Sequence, residues 1–189
     1  MSVLASDLQK RLYESNVKQN AQEGDGVPVD IGVCKPPLFV DKVKAIAEGG
    51  VYGENVEQVH LLGYDTFTKL MDPKYYPPRH SLEPLQTLFR RGRVRVMMRA
   101  EGNSGKVEGK EQVEYLRRLR DGDREYEGGR REWAERVELI DPEKDAEGVS
   151  STRVRDVVLK GKEGLEGLVT KGVSEWIDQK GLYKDDGGD

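Results

Sequence analysis

The stretch from Val137 to Arg155 reads VELIDPEKDAEGVSSTRVR. Its first four residues form an apolar run that is typical of a short buried strand, and a polar loop follows them. The closing segment, GVSSTRVR, predicts the start of a helix, because small hydroxyl residues favour the N-cap position. A strand that leads through a loop into a helix is the building unit of α/β proteins, so this stretch predicts that fold class.

The same alternation extends along the whole chain. Short apolar runs predict four strands, at residues 29–34, 56–62, 94–98 and 137–140. Helical spacing of apolar residues predicts the helices, at residues 2–17, 39–47, 66–71, 82–89, 111–120 and 168–180, besides the one that begins within GVSSTRVR. Gly181 is expected to cap the last helix. Strands that alternate with helices predict a parallel sheet covered by helices on both faces.

The length of 189 residues suits a single domain, which we expect to span residues 1–183. Residues 101–132 are rich in charge and glycine and predict a flexible charged insert on the surface. The polar tail, residues 184–189, is expected to be disordered.

Composition narrows the functional class. The net charge of −4 argues against nucleic acid or an anionic membrane as a partner, because such binders are usually basic. A cluster of arginines at 90–95 suggests RNA only as a distant alternative. No apolar run has the length of a membrane span or a signal-peptide core. One cysteine, Cys34, allows no intramolecular disulfide. We therefore expect a cytoplasmic protein, with the nucleus as an alternative.

The beginning of the helix within GVSSTRVR is a candidate anion site. Ser150 suits the N-cap, and Ser151 and Thr152 add two further hydroxyl groups near free backbone N–H groups. Arg155 lies four residues after Ser151, so both project from the same helical face. Hydroxyls, N–H groups and a guanidinium can converge on one phosphate, so the expected ligand is a nucleotide or a phosphorylated metabolite.

Two other candidate positions follow the ends of predicted strands. Gly63 and Asp65 come directly after the second strand, where glycine allows close approach of a ligand and aspartate can bind a ribose hydroxyl. The alternative is a turn glycine followed by an N-cap aspartate. Arg99 ends the third strand and can reach a phosphate, or it is a solvated arginine. Because ligands of parallel sheets bind at the carboxyl ends of the strands, these residues and the GVSSTRVR helix are expected to gather along one rim.

Side chains for catalysis are scarce. The only histidines are His60, expected to be packed in the core, and His80, expected to be exposed. Neither belongs to a metal-binding spacing, and no Ser/His/Asp signature is present. The sequence therefore predicts nucleotide-binding residues but no catalytic or metal-binding residue.

The motifs resemble those of one enzyme family. VSSTRVR at 149–155 is similar to the Ile-Ser-Ser-Thr-x-x-Arg motif of nicotinamide mononucleotide adenylyltransferases, and LLGYDT at 61–66 looks like their Gly-x-Asp strand end. Residues 168–183 resemble their closing helix. DPKYY at 72–76 and EGGRREWA at 127–134 are similar to a fungal adenylyltransferase-like branch. The resemblance covers essentially the whole chain.

This resemblance implies a Rossmann-like fold and the transfer of AMP from ATP to nicotinamide mononucleotide, which gives NAD and pyrophosphate with the help of Mg²⁺. It also implies roles for the candidate residues. Ser150, Ser151, Thr152 and Arg155 would hold ATP phosphates. Gly63 and Asp65 would contact ribose, and Arg99 would lie near the adenylate or phosphate.

The chain departs from the family at its beginning. The family starts with a strand and a Gly-x-Phe-x-Pro-x-His-x-Gly-His loop, which this sequence does not contain. The resemblance therefore implies a Rossmann-like domain that lacks its first strand and histidine loop, with an exposed sheet edge that a second copy or a partner covers. The alternatives are a non-catalytic nucleotide-binding or interaction module, and a shortened gene model of an ordinary enzyme. Val40 replaces a hydrogen-bonding residue of many relatives, which leaves the choice of mononucleotide open.

Overall fold

The computed structural model describes residues 2–18, 28–53, 56–99, 106–141, 149, 151–161 and 164–183. The chain divides into two compact units. The larger unit is Cys34–Glu143, and the smaller unit combines Met1–Val33 with Lys144–Asp189. Each unit is described here by itself. The prediction of one domain over residues 1–183 stays a prediction.

The described residues form seven α-helices and three strands. In chain order they are α1 (Ser2–Lys18), α2 (Phe39–Glu48), β1 (Gln58–Gly63), α3 (Tyr64–Leu70), α4 (Leu85–Arg91), β2 (Gly92–Met97), α5 (Lys106–Asp121), β3 (Val137–Ile140), α6 (Ser151–Leu159) and α7 (Lys171–Lys180). Short 3-10 helices lie between α3 and α4, at Pro73–Tyr75, and between α5 and β3, at Glu125–Glu127 and Arg131–Arg136. No helix among these described stretches is both long enough and apolar enough to cross a membrane.

The three strands of the larger unit form one parallel sheet in the order β1-β2-β3. Leu62 pairs with Val96, and Val96 pairs with Leu139 on the other side. Helices flank this sheet, so the predicted α/β class is confirmed, and the architecture is consistent with a Rossmann-like fold. Three of the four predicted strands lie in this sheet, within two residues of the predicted starts.

One face of the sheet packs on the hydrophobic core. Along β2 the side chains alternate between buried and exposed, as expected for a strand with one covered face. Val94 and Val96 are fully buried against residues from α2, α3, α4 and α5. Phe89 stacks on Trp133 with ring centroids 4.9 Å apart, which joins α4 to the Arg131–Arg136 helix. The covered face is therefore anchored by aliphatic and aromatic packing.

The opposite face of the sheet carries exposed apolar side chains. Val59, Leu61 and Met97 are 48%, 74% and 44% exposed. Arg95 lies on the same face and forms a two-point ion pair with Glu138, with N–O distances of 2.7 and 3.0 Å. These side chains lie on a face of the sheet and not on its edge. The prediction that a second copy or a partner covers an exposed edge stays a prediction.

The predicted strand at residues 29–34 is wrong. The structure gives this segment no strand pairing, and Ile31 and Val33 are 52% and 87% exposed. A β-branched run becomes a strand only where a neighbouring strand completes its hydrogen bonds and a surface covers its side chains. Pro36 and Pro37 follow directly and shorten the stretch that could pair.

The described part of the charged segment at 101–132 is helical, and its predicted flexibility stays a prediction. Residues from 106 onward form α5, which contains the helix predicted at 111–120, and the turns that follow make specific contacts. The Leu82 N–H donates to the Glu127 carbonyl at 2.7 Å, and the Arg124 guanidinium donates to the Met71 carbonyl at 2.7 Å. Leu119 is fully buried. Residues 101–105 lie outside the described residues.

The smaller unit contains α1, α6 and α7. Its core consists of buried aliphatic side chains from α6, α7 and the segment between them: Val154, Val158, Leu165 and Ile177. Thr170 accepts a hydrogen bond from the Val173 N–H at 3.4 Å as the N-cap of α7, and it donates to the Asp7 carboxylate of α1. Gly181 adopts a left-handed conformation with φ of 60°, so the predicted C-cap is confirmed. The tail predicted to be disordered lies outside the described residues.

Tyr76 should make stability depend on alkaline pH. Its hydroxyl donates to the Leu70 carbonyl at 2.7 Å, and burial, followed by the charges of Asp41 and Asp72, raises the pKa of Tyr76 to about 12. An unfolded tyrosine ionises near pH 10, so between these values the unfolded chain loses a proton that the folded chain keeps. Stability therefore falls as pH rises from about 10 to 12, by at most roughly 2 to 3 kcal/mol.

Urea unfolding of Tyr76→Phe at several pH values checks this expectation. The variant should lose part of the alkaline slope, while Tyr75→Phe, a change at the exposed neighbouring tyrosine, should keep it. If the free energy of unfolding depends on alkaline pH equally in the two variants, Tyr76 is not the source of that dependence.

Candidate functional site

Gly63 closes β1 at the carboxyl edge of the sheet and is the N-cap residue of α3. Its φ of −78° and ψ of 156° are extended, so the backbone does not require glycine here. A Cβ added at this position would meet no atom within 4 Å. The space beside Gly63 is therefore open, as close approach of a ligand would require.

Asp65 and Arg99 meet at this edge. Asp65 lies in the first turn of α3, and Arg99 follows the end of β2. The Arg99 Nη2 contacts the Asp65 Oδ2 in an ion pair, and both side chains are more than half exposed. The alternative that Asp65 caps the helix is wrong, because the cap residue is Gly63 and no side-chain cap bond is made. Two of the predicted positions are thus brought into contact, with opposite charges facing solvent.

A buried amide holds the backbone at Arg99. Gln112 of α5 is 3% exposed, and its Oε1 accepts a hydrogen bond from the Arg99 N–H at 3.1 Å. An N–H group just past a strand end has no ladder partner, so this bond satisfies it and fixes where the arginine side chain begins. Sequence reasoning missed Gln112 because it lies in a highly charged helix, where a glutamine gives no sign of burial.

Aromatic packing fixes α3 beneath the same edge. Tyr64, Phe67 and Tyr115 form edge-on and tilted pairs with centroid distances of 5.8 to 6.4 Å. Burial, assisted by Glu111, raises the pKa of Tyr64, and burial likewise raises the pKa of Tyr115. Both phenols therefore stay neutral at physiological pH. Their packing between α3 and α5 gives Asp65 a rigid support.

In the smaller unit, α6 begins at Ser151 and confirms the helix predicted for GVSSTRVR. Ser150, the predicted N-cap, lies outside the described residues. The Arg155 Nη2 is 3.4 Å from the Thr152 Oγ1, so these two predicted phosphate-binding groups lie on one face. Val154 and Val158 are buried in the core on the neighbouring stripe of the helix, which begins at Ser151. The polar face of α6 consists of the exposed side chains of Ser151, Thr152 and Arg155.

The two histidines occupy different surroundings, and neither lies in a metal cluster. His60 in β1 is half-buried and packs edge-on against Phe39, while His80 is exposed. Burial, followed by repulsion from Lys42, lowers the pKa of His60, so its ring is neutral at pH 7. The described residues contain no group of three side chains suited to a metal ion.

Comparison with known proteins adds one relative. The chain is 30% identical over 137 residues to a Schizosaccharomyces pombe protein described as "Putative nicotinamide mononucleotide adenylyltransferase". This chain is similar to an adenylyltransferase. The similarity covers 71% of the chain but 51% of the yeast adenylyltransferase, so the chain spans about half the length of that relative. It supports a nucleotidyltransferase-like function and no finer assignment.

No protein-family model matches the chain. No solved structure matches it either. The roles of Gly63, Asp65, Arg99, Ser151, Thr152 and Arg155 in binding a nucleotide therefore stay predictions, although the geometry is compatible with each.

Proposed function

We propose that this chain is a nucleotide-binding protein of the adenylyltransferase type, and that it transfers AMP from ATP to nicotinamide mononucleotide. The similarity over 137 residues to the yeast adenylyltransferase carries the proposal. In this reaction a 5′-phosphate oxygen of the mononucleotide attacks the α-phosphorus of ATP. The bond to the bridging oxygen breaks, and NAD and pyrophosphate are the products.

The residues at the carboxyl edge of the sheet support nucleotide binding. Asp65 uses Oδ2 in its pair with Arg99, which leaves Oδ1 to accept a hydrogen bond from a ribose hydroxyl. The open space beside Gly63 admits the sugar close to the backbone. Arg99 keeps further N–H donors for a phosphate. A preorganised pair of this kind lowers the cost of ordering a bound nucleotide.

The polar face of α6 supports phosphate binding. Ser151 stands at the helix N-terminus, where free N–H groups and the positive end of the helix dipole favour anions. Thr152 and Arg155 extend the same face with a hydroxyl and a guanidinium. Ser150 belongs to the same proposal by its position in the sequence. Mg²⁺ is proposed to arrive with the phosphates of ATP, as is common in phosphoryl transfer.

A second candidate function is nucleotide binding without catalysis. The sequence contains no His-x-Gly-His segment, which the resembling family uses to stabilise the reacting phosphate. Asp65 and Arg99 at the sheet edge and Thr152 and Arg155 on α6 act in the proposal as binding groups, and binding does not by itself require turnover. The two functions share the same binding residues, so turnover separates them.

The test combines binding and turnover on the same preparations. Calorimetry measures Mg·ATP affinity, and chromatography measures NAD and pyrophosphate after incubation with nicotinamide mononucleotide, or with nicotinate mononucleotide as a substrate comparison. The double variant Ser151→Ala/Arg155→Gln should bind Mg·ATP at least about tenfold more weakly, because a charge-assisted hydrogen bond is lost. Lys171→Gln changes an exposed cation elsewhere in the smaller unit and should bind normally.

The outcomes separate the candidates. Binding with formation of the dinucleotide supports AMP transfer, and binding without product supports the non-catalytic function. Absence of binding at millimolar Mg·ATP would reject both.

A further inference from the structure

A cavity of about 270 Å³ lies at the amino ends of the strands in the larger unit. Gln58 and His60 of β1 line it together with apolar side chains of α2 and of the segment before β1, chiefly Ile46, Ala47, Tyr52 and Val56. His60 is the lining residue of β1 nearest the carboxyl edge, and it lies three residues, about 10 Å along the strand, before Gly63 at that edge. The proposed nucleotide-binding residues do not line the cavity.

Two buried polar atoms on the lining residues have no hydrogen-bond partner. The Gln58 Nε2 donates to the Val43 carbonyl at 3.0 Å, which fixes the orientation of the amide. The Gln58 Oε1 is consequently an acceptor without a donor, and the His60 Nε2 is also unpaired. Because both atoms have almost no accessible surface, a ligand in the cavity does not reach them, and it meets mainly the apolar side chains of the lining.

A second pocket of about 270 Å³ adjoins the first and is basic. The two pockets share Ala47 and Arg91, and the second adds Lys44, Arg90, Thr87 and Glu48. Three cations there face one carboxylate, and Glu48 already lies 3.9 Å from Lys44. Glu57 also lines the first cavity, but Arg93 and Arg136 pair with its carboxylate at 2.9 and 2.8 Å, so the charge beside the apolar cavity stays positive and favours an anionic group. Arg90 and Arg91 are the last residues of α4, so two guanidinium groups come from adjacent positions.

We propose that these adjoining pockets bind a small aromatic acid, with its ring in the apolar cavity and its anionic group beside Arg90 and Arg91. The cavity volume is slightly below the range of about 300 to 1,000 Å³ that is usual for ligand pockets, so a compound of one or two fused rings fits better than a larger one. The exposed apolar side chains of Tyr52 and Val56 become covered when such a ring binds.

The test uses indole-3-carboxylate as the probe, because it combines a two-ring system with a carboxylate. Two-dimensional NMR on the full chain should show saturable shifts at lining residues, with a Kd below about 1 mM. Indole lacks the anion and should bind at least about fivefold more weakly, as expected when a polar contact is lost in a partly exposed site.

Variants test the location. Ala47→Leu fills the boundary between the pockets and should weaken the probe at least about tenfold, which corresponds to about 1.4 kcal/mol. Ala45→Leu places the same side chain on an exposed position of the same helix and should bind as the natural chain does. Arg91→Gln should weaken indole-3-carboxylate but leave indole unchanged.

The proposal is overturned if millimolar indole-3-carboxylate shifts no lining residue, or if indole binds as tightly as indole-3-carboxylate. Equal binding by Ala47→Leu and Ala45→Leu would also overturn it. If Ala47→Leu does not fold, the probe series on the natural chain and Arg91→Gln still decide the matter.

Discussion

Gly92→Ala should destabilise the larger unit by about 3 kcal/mol, the upper part of the usual range for overpacked sites. A Cβ at this position would lie 2.2 Å from the Gln58 carbonyl oxygen and 3.1 Å from its carbon. Both atoms belong to the neighbouring backbone, because Gly92 pairs with Gln58 where β1 and β2 begin. The φ of −162° is extended, so the expected loss comes from this contact and not from backbone strain.

The measurement is chemical unfolding followed by tryptophan fluorescence. Trp133 is buried in the larger unit, and the chain has two tryptophans, so a Trp176→Phe background isolates the signal. Gly63→Ala is the matched control. It places the same methyl group at the other end of β1, in open space, and should lower the free energy of unfolding by no more than about 1 kcal/mol, the loss expected for alanine at the N-cap of α3. If Gly92→Ala is as stable as Gly63→Ala, β1 and β2 can move apart at Gly92 to accommodate the methyl group, and the expected clash with Gln58 is wrong.

The sheet was predictable where its strands are short apolar runs between helical patterns. Val94 and Val96 alternate with Arg93 and Arg95 in the sequence. In the structure the valines lie on the buried face of β2 and the arginines on the exposed face. Residues 29–34 carry the same β-branched signal but no strand pairing in the structure. Strand formation depends on a neighbour that is distant in the sequence, so local composition does not decide it.

The residues of the candidate site could be predicted from the sequence, but the contacts between them could not. A rule about the carboxyl ends of parallel strands placed Asp65 and Arg99 at one edge, and the structure joins them in an ion pair. Nothing local predicted that Gln112 would be buried against the Arg99 backbone. The pockets beside Ala47 were equally invisible, because their lining is assembled from α2, β1 and α4, which the sequence separates by up to 45 residues.

Arg99→Gln should weaken Mg·ATP on the order of 100-fold while changing stability little. An exposed ion pair contributes about 0 to 1 kcal/mol to folding, so losing the contact with Asp65 leaves the unfolding midpoint nearly unchanged. A charged hydrogen bond to a bound phosphate contributes more, about 1.5 to 3 kcal/mol, because the ligand displaces water from it. If Arg99 binds a nucleotide, Arg99→Gln should therefore lower the affinity for Mg·ATP and leave the stability nearly unchanged.

Arg95→Gln provides the comparison, four residues earlier in the chain. Arg95 also pairs with one carboxylate, Glu138, and is similarly exposed, but it lies in the middle of β2 and away from the carboxyl edge. Calorimetry and urea unfolding on both variants should give equal stabilities and unequal affinities, with Arg95→Gln binding Mg·ATP as the natural chain does. Asp65→Asn, which keeps the shape of the side chain, should lose affinity as well because the amide holds Arg99 less firmly. If Arg99→Gln and Arg95→Gln bind equally, the edge pair is a surface ion pair with no part in nucleotide binding, and the polar face of α6 would carry the proposed function alone.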